Sequence, residues 1–238
     1  MAKGFTFKQF HVNDHGCGMP VSTDGVMLGA WATLPRSGQI LDIGTGSGLL
    51  ALMSAQRTTS NGNPITAIEI DSGAATAAQK NFSDSPWPAR IELAHQSVQD
   101  WASQQTAGSV AAIVCNPPYF NHGEQADCQS RATARHTDTL SHHDLLSAIS
   151  YLLSPTGSAS LILPVYEGEQ LIQAARAHQL YCQRVCEVKT TERKAPTRLL
   201  IALTASPSEP QHEQLVIHES GEYSEAFVAL TKAFYLKM

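Results

Sequence analysis

Three short segments hold residue types that could do chemistry together. The first is Asp42-Ile-Gly44-Thr-Gly46-Ser-Gly48, with glycine at every second position after the acid. Glycine lets a backbone turn through left-handed conformations and approach a ligand, and a helix N-terminus behind such a loop favours hydrogen-bond acceptors. No Gly-Lys-Ser/Thr follows, which excludes a phosphate-binding loop of that kind. The G-x-G-x-G spacing also departs from the G-x-G-x-x-G dinucleotide fingerprint. A plain strand-to-helix turn is the competing explanation. The second is Glu69, 21 residues beyond Gly48. A carboxylate at the end of the next strand can accept hydrogen bonds from both hydroxyls of a nucleoside ribose; alone, it would be an ordinary strand-end acid. Asp71 reads as the cap of the helix that follows. The third is Asn116-Pro117-Pro118-Tyr119. Two prolines hold the backbone extended, which presents the Asn116 side-chain oxygen and the Pro117 carbonyl as two fixed acceptors. An amino group can give one hydrogen to each while its planar system stacks on Tyr119. A bare Pro-Pro turn competes here.

Alternating elements must position these segments. Apolar runs at 40–43, 65–70, 91–94, 110–115, 159–163, 181–188 and 198–204 predict strands. Helical patterns cover 26–31, 49–56, 74–82, 98–105, 143–153, 169–178 and 224–235, with Pro155-Thr-Gly157 as the turn that ends the 143–153 helix. Regular β-α alternation predicts one doubly wound, mostly parallel sheet with helices on both faces, and ligands at its carboxyl edge. Residues 1–34 read as an arm and short helix packing on the site, and 35–238 as the main domain. An irregular stretch of about 25 residues after Cys115 has the length of a functional loop.

Composition narrows the classes. The chain has 238 residues, 42% of them hydrophobic, enough for one large core. No apolar run reaches the length of a membrane span. The start of the chain has no continuous apolar segment of the secretory kind. Five scattered cysteines without a C-x-x-C fit a reducing compartment better than a disulfide framework or a zinc site. Cys182 and Cys186, four apart on a strand, are expected on one face of it. The net charge of −5 disfavours bulk nucleic-acid binding. One stretch opposes it: residues 176–198 carry six basic and two acidic side chains, net +4, leaving −9 for the remainder.

The glycine loop, Glu69 and Asn116-Pro-Pro-Tyr119 together resemble the class I S-adenosylmethionine-dependent methyltransferases that modify amino nitrogens. Further segments carry the likeness through nearly the whole chain. Gly4-Phe-Thr-Phe-Lys-Gln-Phe10, Thr23-Asp-Gly-Val-Met-Leu-Gly-Ala-Trp31, Leu49-Leu-Ala-Leu-Met53, Gln79-Lys-Asn81, Ser85-Pro-Trp87 and the last sixteen residues from Tyr223 resemble the bacterial valine tRNA adenine-N6-methyltransferase family. The resemblance implies a Rossmann-like single domain that methylates the adenine 3′ of the anticodon, at tRNA position 37. It implies that Asp42, Gly44, Gly46 and Gly48 hold the methionine part of the cofactor and Glu69 its ribose, with Thr23 and Asp24 closing over it. Asn116, Pro117 and Tyr119 would receive the target base. Ser97 stands where the family pattern has an acid, and so offers an uncharged contact to the cofactor's adenine. Pro20 stands where that pattern has a lysine.

The implied chemistry needs no metal, because the sulfonium methyl is already activated. His136, His142 and His143 are expected to be loop or helix-cap residues rather than a general base. The substrate surface is expected around Lys189, Arg193, Lys194 and Arg198, with help from Lys3, Lys8, Arg131 and Arg135, on a connection suited to following a phosphate backbone. A cytoplasmic monomer acting on the anticodon loop of a tRNA is the expectation. N5-methylation of a glutamine in a protein such as a release factor shares the three motifs, and so does adenine methylation of DNA. A non-catalytic binder of the same cofactor is a further alternative.

Overall fold

The computed structural model describes residues 4–18, 20–117 and 140–237. A short antiparallel hairpin opens the chain, β1 (Gly4–Thr6) with β2 (His11–Asn13). Then come α1 (Thr23–Trp31), β3 (Gln39–Ile43), α2 (Leu49–Arg57), β4 (Ile65–Glu69), α3 (Ser72–Ser83), β5 (Ile91–His95), α4 (Val98–Ser103) and β6 (Val110–Cys115). Beyond residue 139 follow α5 (His142–Leu152), β7 (Leu153–Pro164), α6 (Val165–Ala175), β8 (Tyr181–Thr191), β9 (Arg198–Thr204), β10 (Gln211–Glu219), β11 (Glu222–Tyr223) and α7 (Glu225–Thr231).

Nine of these strands form one sheet in the order β11-β10-β8-β9-β7-β6-β3-β4-β5. The run β7-β6-β3-β4-β5 is parallel; β9 is antiparallel to both of its neighbours. Strands buried on both faces need apolar residues at successive positions, which is what Ile40-Leu41 and Ile113-Val114-Cys115 supply. Leu41, Ile43 and Ile113 pack with α4, α5 and α6 on one face. Ile40, Ala112 and Val114 face the side that carries α1, α2, α3 and α7. The helices start where a short polar side chain can accept from the N–H three residues on. Ser22, Asp71, Ser97, Ser141 and Ser224 all do so, Asp71 as the sequence implies.

The structure differs from the sequence expectations at several places, among them the last helix, expected to run to 235, which ends at Thr231. Pro155-Thr-Gly157 is not a free turn: it lies inside β7, whose pairing with β6 jumps from Val110↔Leu153 to Ala112↔Ser158 and absorbs the extra residues. α6 begins four residues early, directly at Pro164, which as cap residue needs no N–H. β10, with its patchy burial, adds a parallel strand beside β8 that the polar sequence of 211–219 did not reveal. Cys182 and Cys186 do not share a face. A bulge between Cys182 and Arg184 shifts the alternation, so Cys182 packs beside the α5/α6 core and Cys186 in the α1/α7 core.

Candidate active site

β3 pairs with β4 on one side and β6 on the other, so the chain reverses its order of travel across the sheet between β3 and β6. Clefts for ligands open at the carboxyl ends of strands at such a point. Ile43 pairs with both Ile68 and Cys115. Gly44, Glu69 and Asn116 each come one residue later, so they stand in a row across three neighbouring strand ends. The N–H groups of Gly44 and Thr45 both donate to the Ile68 carbonyl at 2.9 Å, fixing the loop's first turn.

Gly44, Gly46 and Gly48 all adopt positive φ, at 69°, 57° and 93°. A Cβ added at Gly44 would meet nothing within 4 Å, so that side of the loop faces open space. At Gly48 it would come within 2.5 Å of the Phe82 ring, so this glycine permits close packing against α3. Below the loop, the fully buried Asp42 accepts through Oδ2 from the Thr45 hydroxyl at 2.5 Å and the Ala51 N–H at 3.0 Å. Its Oδ1 is buried with no partner. Burial pushes the carboxyl up to about 7, opposed by those two hydrogen bonds, while the neighbouring Glu69 adds to the rise.

Glu69 is 7% exposed. Its Oε2 accepts from the Gly46 N–H at 2.8 Å, and its Oε1 from the N–H groups of Ile70 and Asp71 at 2.9 Å. The carboxylate therefore ties the glycine loop to the end of β4, a role its sequence position did not announce. Ile70 beside it is 52% exposed and offers apolar surface for a planar ring. An apolar residue directly after the strand-end acid was the signal for it.

Asn116 follows β6, and its Oδ1 is buried without a partner. Pro117 is buried beside it. Pro118 and Tyr119 lie outside the described residues, as do Lys3, Arg131, Arg135 and His136. Ser97 caps α4: its Oγ accepts from the Asp100 N–H at 3.0 Å and gives its hydrogen to Asp100 Oδ2 at 2.7 Å, which leaves it acceptor capacity only. His143 meets His178 edge-on with ring centroids 4.9 Å apart, in keeping with a structural role. Burial holds His142 below the usual imidazole value, opposed by Glu167.

Thr23 and Asp24 form the first turn of α1. Asp24 Oδ2 pairs with Arg198 Nε at 2.7 Å, so two residues expected to face different ligands bind each other. The basic stretch is further divided. Arg184 pairs with Glu213 at 2.9 Å and lies 4.3 Å over the Trp31 ring. Lys8 donates to the Lys232 carbonyl at 2.6 Å. Arg193 and Lys194 are exposed in the β8–β9 connection, and Lys189 is half-buried near the end of β8. That connection lies on the same carboxyl edge as Asn116, because β8 runs parallel to β7 and β6.

The set of acceptor oxygens fits a nucleoside cofactor carrying an amino acid. The loop has open space at Gly44, a carboxylate stands at the β4 end, and two buried oxygens, Asp42 Oδ1 and Asn116 Oδ1, lack partners.

Comparison with known proteins adds to this geometry. The family model for the methyltransferase small domain matches residues 26–143. A protein from Photobacterium profundum, named tRNA1(Val) (adenine(37)-N6)-methyltransferase, is 62% identical over 100% of both chains. A protein of the same name from Aliivibrio fischeri is 53% identical over 100% of both. Among solved structures, a predicted O-methyltransferase from Agrobacterium tumefaciens superposes with a TM-score of 0.69 at 18% identity, covering 89% of this chain and 96% of the other. TYW2 of Pyrococcus horikoshii in complex with MeSAdo gives 0.59 at 12% identity, covering 86% and 72%. These two share the fold.

Proposed function

The chain belongs to the tRNA1(Val) (adenine(37)-N6)-methyltransferase family, and from that premise we propose how its carboxyl edge performs the reaction. It is an S-adenosylmethionine-dependent enzyme that transfers a methyl group to N6 of adenine 37 in valine tRNA. S-adenosylmethionine supplies an electrophilic sulfonium methyl, so the protein's task is to bind, align and localise charge.

Glu69 receives the ribose hydroxyls while keeping the glycine loop in place. Asp42 and the loop at Gly44, Gly46 and Gly48 hold the amino-acid end. Ile70 and Ser97 receive the adenine, and Thr23 and Asp24 border the site from α1. The N6 lone pair of the target adenine is delocalised into its ring and attacks poorly. Asn116 Oδ1 and the Pro117 carbonyl would accept the two amino hydrogens, which aims a localised lone pair at the methyl group; as the C–N bond forms, the C–S bond breaks, S-adenosylhomocysteine is the leaving group, and the amino nitrogen gives up one proton to solvent. Tyr119 stacks on the base. Most of the rate then comes from alignment and fixed dipoles. A base in an anticodon loop leaves its stack at little cost compared with one in a duplex.

The anticodon loop lies along the carboxyl edge, with Lys189, Arg193 and Lys194 on the phosphates. Arg198 contributes by holding α1 through Asp24. The enzyme works as a cytoplasmic monomer and needs no metal. No described helix is long and apolar enough to cross a membrane.

The unpartnered, buried Asn116 Oδ1 beside the glycine loop carries this reading. Its test is incubation of unmodified valine tRNA with isotope-labelled S-adenosylmethionine, followed by nucleoside mass spectrometry. Labelled N6-methyladenosine in the fragment containing position 37 is the expected product. Label at another base, or none in the RNA, overturns the reading.

A further inference from the structure

The glycine loop is gripped from behind by two consecutive residues of α3. Phe82 packs where a side chain at Gly48 would lie, 2.5 Å away. Asn81, buried at 3% exposure, donates from Nδ2 to the Ser47 carbonyl at 2.7 Å. Its second amide hydrogen goes to the Asn13 carbonyl at 2.9 Å, and its Oδ1 accepts from the Asn13 N–H at 3.1 Å. The side-chain amide thus pairs with the backbone of Asn13 as a neighbouring strand would, and holds Ser47 with its remaining donor.

Asn13 ends β2. From it the chain turns at Asp14, whose Oδ1 accepts from the Gly16 N–H at 3.0 Å. It then runs past the first turn of α3, where Cys17 Cβ lies 3.8 Å from the position of a Gly73 Cβ. It reaches Ser22, the cap of α1, and Gly25 there packs on Leu49, the first residue of α2 after the glycine loop. Residues Asn13–Gly18 therefore pass the Asp71 side of the cleft, and Ser22 stands at the far end of the loop. Asn81 is the point at which this arm and the loop share one side chain.

We propose that Asn81 is a positioning residue that couples the N-terminal arm to the cofactor loop, so that filling the loop orders the arm and an ordered arm tightens the loop's grip. The proposal rests on the glycine loop being the S-adenosylmethionine site. Asparagine suits the task because it supplies two donors and one acceptor in one plane. Aspartate keeps the shape but turns a carboxylate towards two carbonyls. Alanine leaves those carbonyls and one N–H without their partner.

The test uses the full chain with S-adenosylhomocysteine as probe, followed by hydrogen exchange of peptides spanning 11–24 and by calorimetry. In the unaltered protein the ligand should slow exchange in that segment. Asn81→Ala should weaken its binding by about ten- to thirtyfold, the scale of three lost hydrogen bonds at the low end of their usual worth. It should also abolish the slowing, while KM for tRNA stays within about twofold, since uniform loss of cofactor binding leaves the RNA contacts alone. Asn81→Asp should behave the same way. A merely structural side chain would lower the melting temperature and leave ligand-dependent slowing intact, which overturns the proposal. Unchanged affinity in the variants also overturns it. Should neither variant fold, the unaltered protein decides alone: S-adenosylhomocysteine bound with no slowing in 11–24 refutes the coupling. Failure of the unaltered protein to bind S-adenosylhomocysteine at all would instead refute the functional reading itself.

Discussion

Two regions share one edge of the sheet and differ in almost every physical respect. At the ends of β4, β3 and β6, Glu69 and the oxygens Asp42 Oδ1 and Asn116 Oδ1 are buried, those two oxygens lack partners, and backbone hydrogen bonds to Glu69 fix the loop. The β8–β9 connection is mostly exposed and carries the exposed Arg193 and Lys194. Aligning an amino nitrogen requires acceptors that do not move, so that region must be rigid and desolvated. Following a phosphate backbone requires long charged side chains that can adapt, so that region must be wet. The arginines between these extremes show the boundary. Arg184 and Arg198 are tied to Glu213 and Asp24, whereas Arg193 and Lys194 stand exposed.

The sharpest way to break the contrast is Asn116→Ala. Losing one aligned acceptor in a preorganised site should cost about 3–4 kcal/mol in single-turnover methyl transfer. S-adenosylhomocysteine affinity, measured by calorimetry, should barely change. Glu69→Ala should come next, with cofactor affinity reduced by roughly 1.5–3 kcal/mol, the scale of a hydrogen bond to a charged group. Because Gly46, Ile70 and Asp71 lose their acceptor, its melting temperature should fall too, which calorimetric scanning would show.

Asp42 gives a pH signature to the buried region alone. Its folded value of about 7 lies above the ordinary 3.8. Its stabilising contribution is therefore full below 3.8 and is lost as pH rises through about 7. Asp42→Asn should thus melt higher than the unaltered protein at pH 8, with the gap closing towards pH 5. Holding an ammonium group needs the carboxylate form, so cofactor affinity should fall about tenfold per unit below the folded value. Asp42→Asn should bind weakly at every pH. The smallest effect belongs to the exposed region. Reversing Arg193 and Lys194 to Glu should raise KM for tRNA and reduce the salt slope by about one to two, at roughly 0.7–0.9 per phosphate contact. S-adenosylmethionine affinity should not change.

The same contrast governs what could be read from the residues. The row was legible because a turn at positive φ demands glycine at Gly44, Gly46 and Gly48, and because Asn-Pro-Pro-Tyr has few other uses. The parallel strands were legible because burial on both faces forces apolar runs. β10 was not, since an outer strand needs little apolar sequence, and its partner β8 carries a bulge that no spacing rule reveals. Nor were the ion pairs: Asp24 and Arg198 stand 174 residues apart, and only the register of β7 with β9 brings Arg198 to the edge where α1 begins. Glu69 was legible as a strand-end acid and not as the tie for Gly46, because backbone donors leave no mark in a sequence.

The division of labour between the two regions is tested most directly by single-turnover methylation of valine tRNA at saturating enzyme, followed across a range of salt concentrations. Three proteins suffice: the unaltered chain, Asn116→Ala, and the double variant Arg193→Glu/Lys194→Glu. Asn116→Ala should lower the saturating rate and keep the salt slope of tRNA binding. The double variant should keep the saturating rate and flatten the slope. A flattened slope in Asn116→Ala, or a lowered saturating rate in the double variant, would contradict the account.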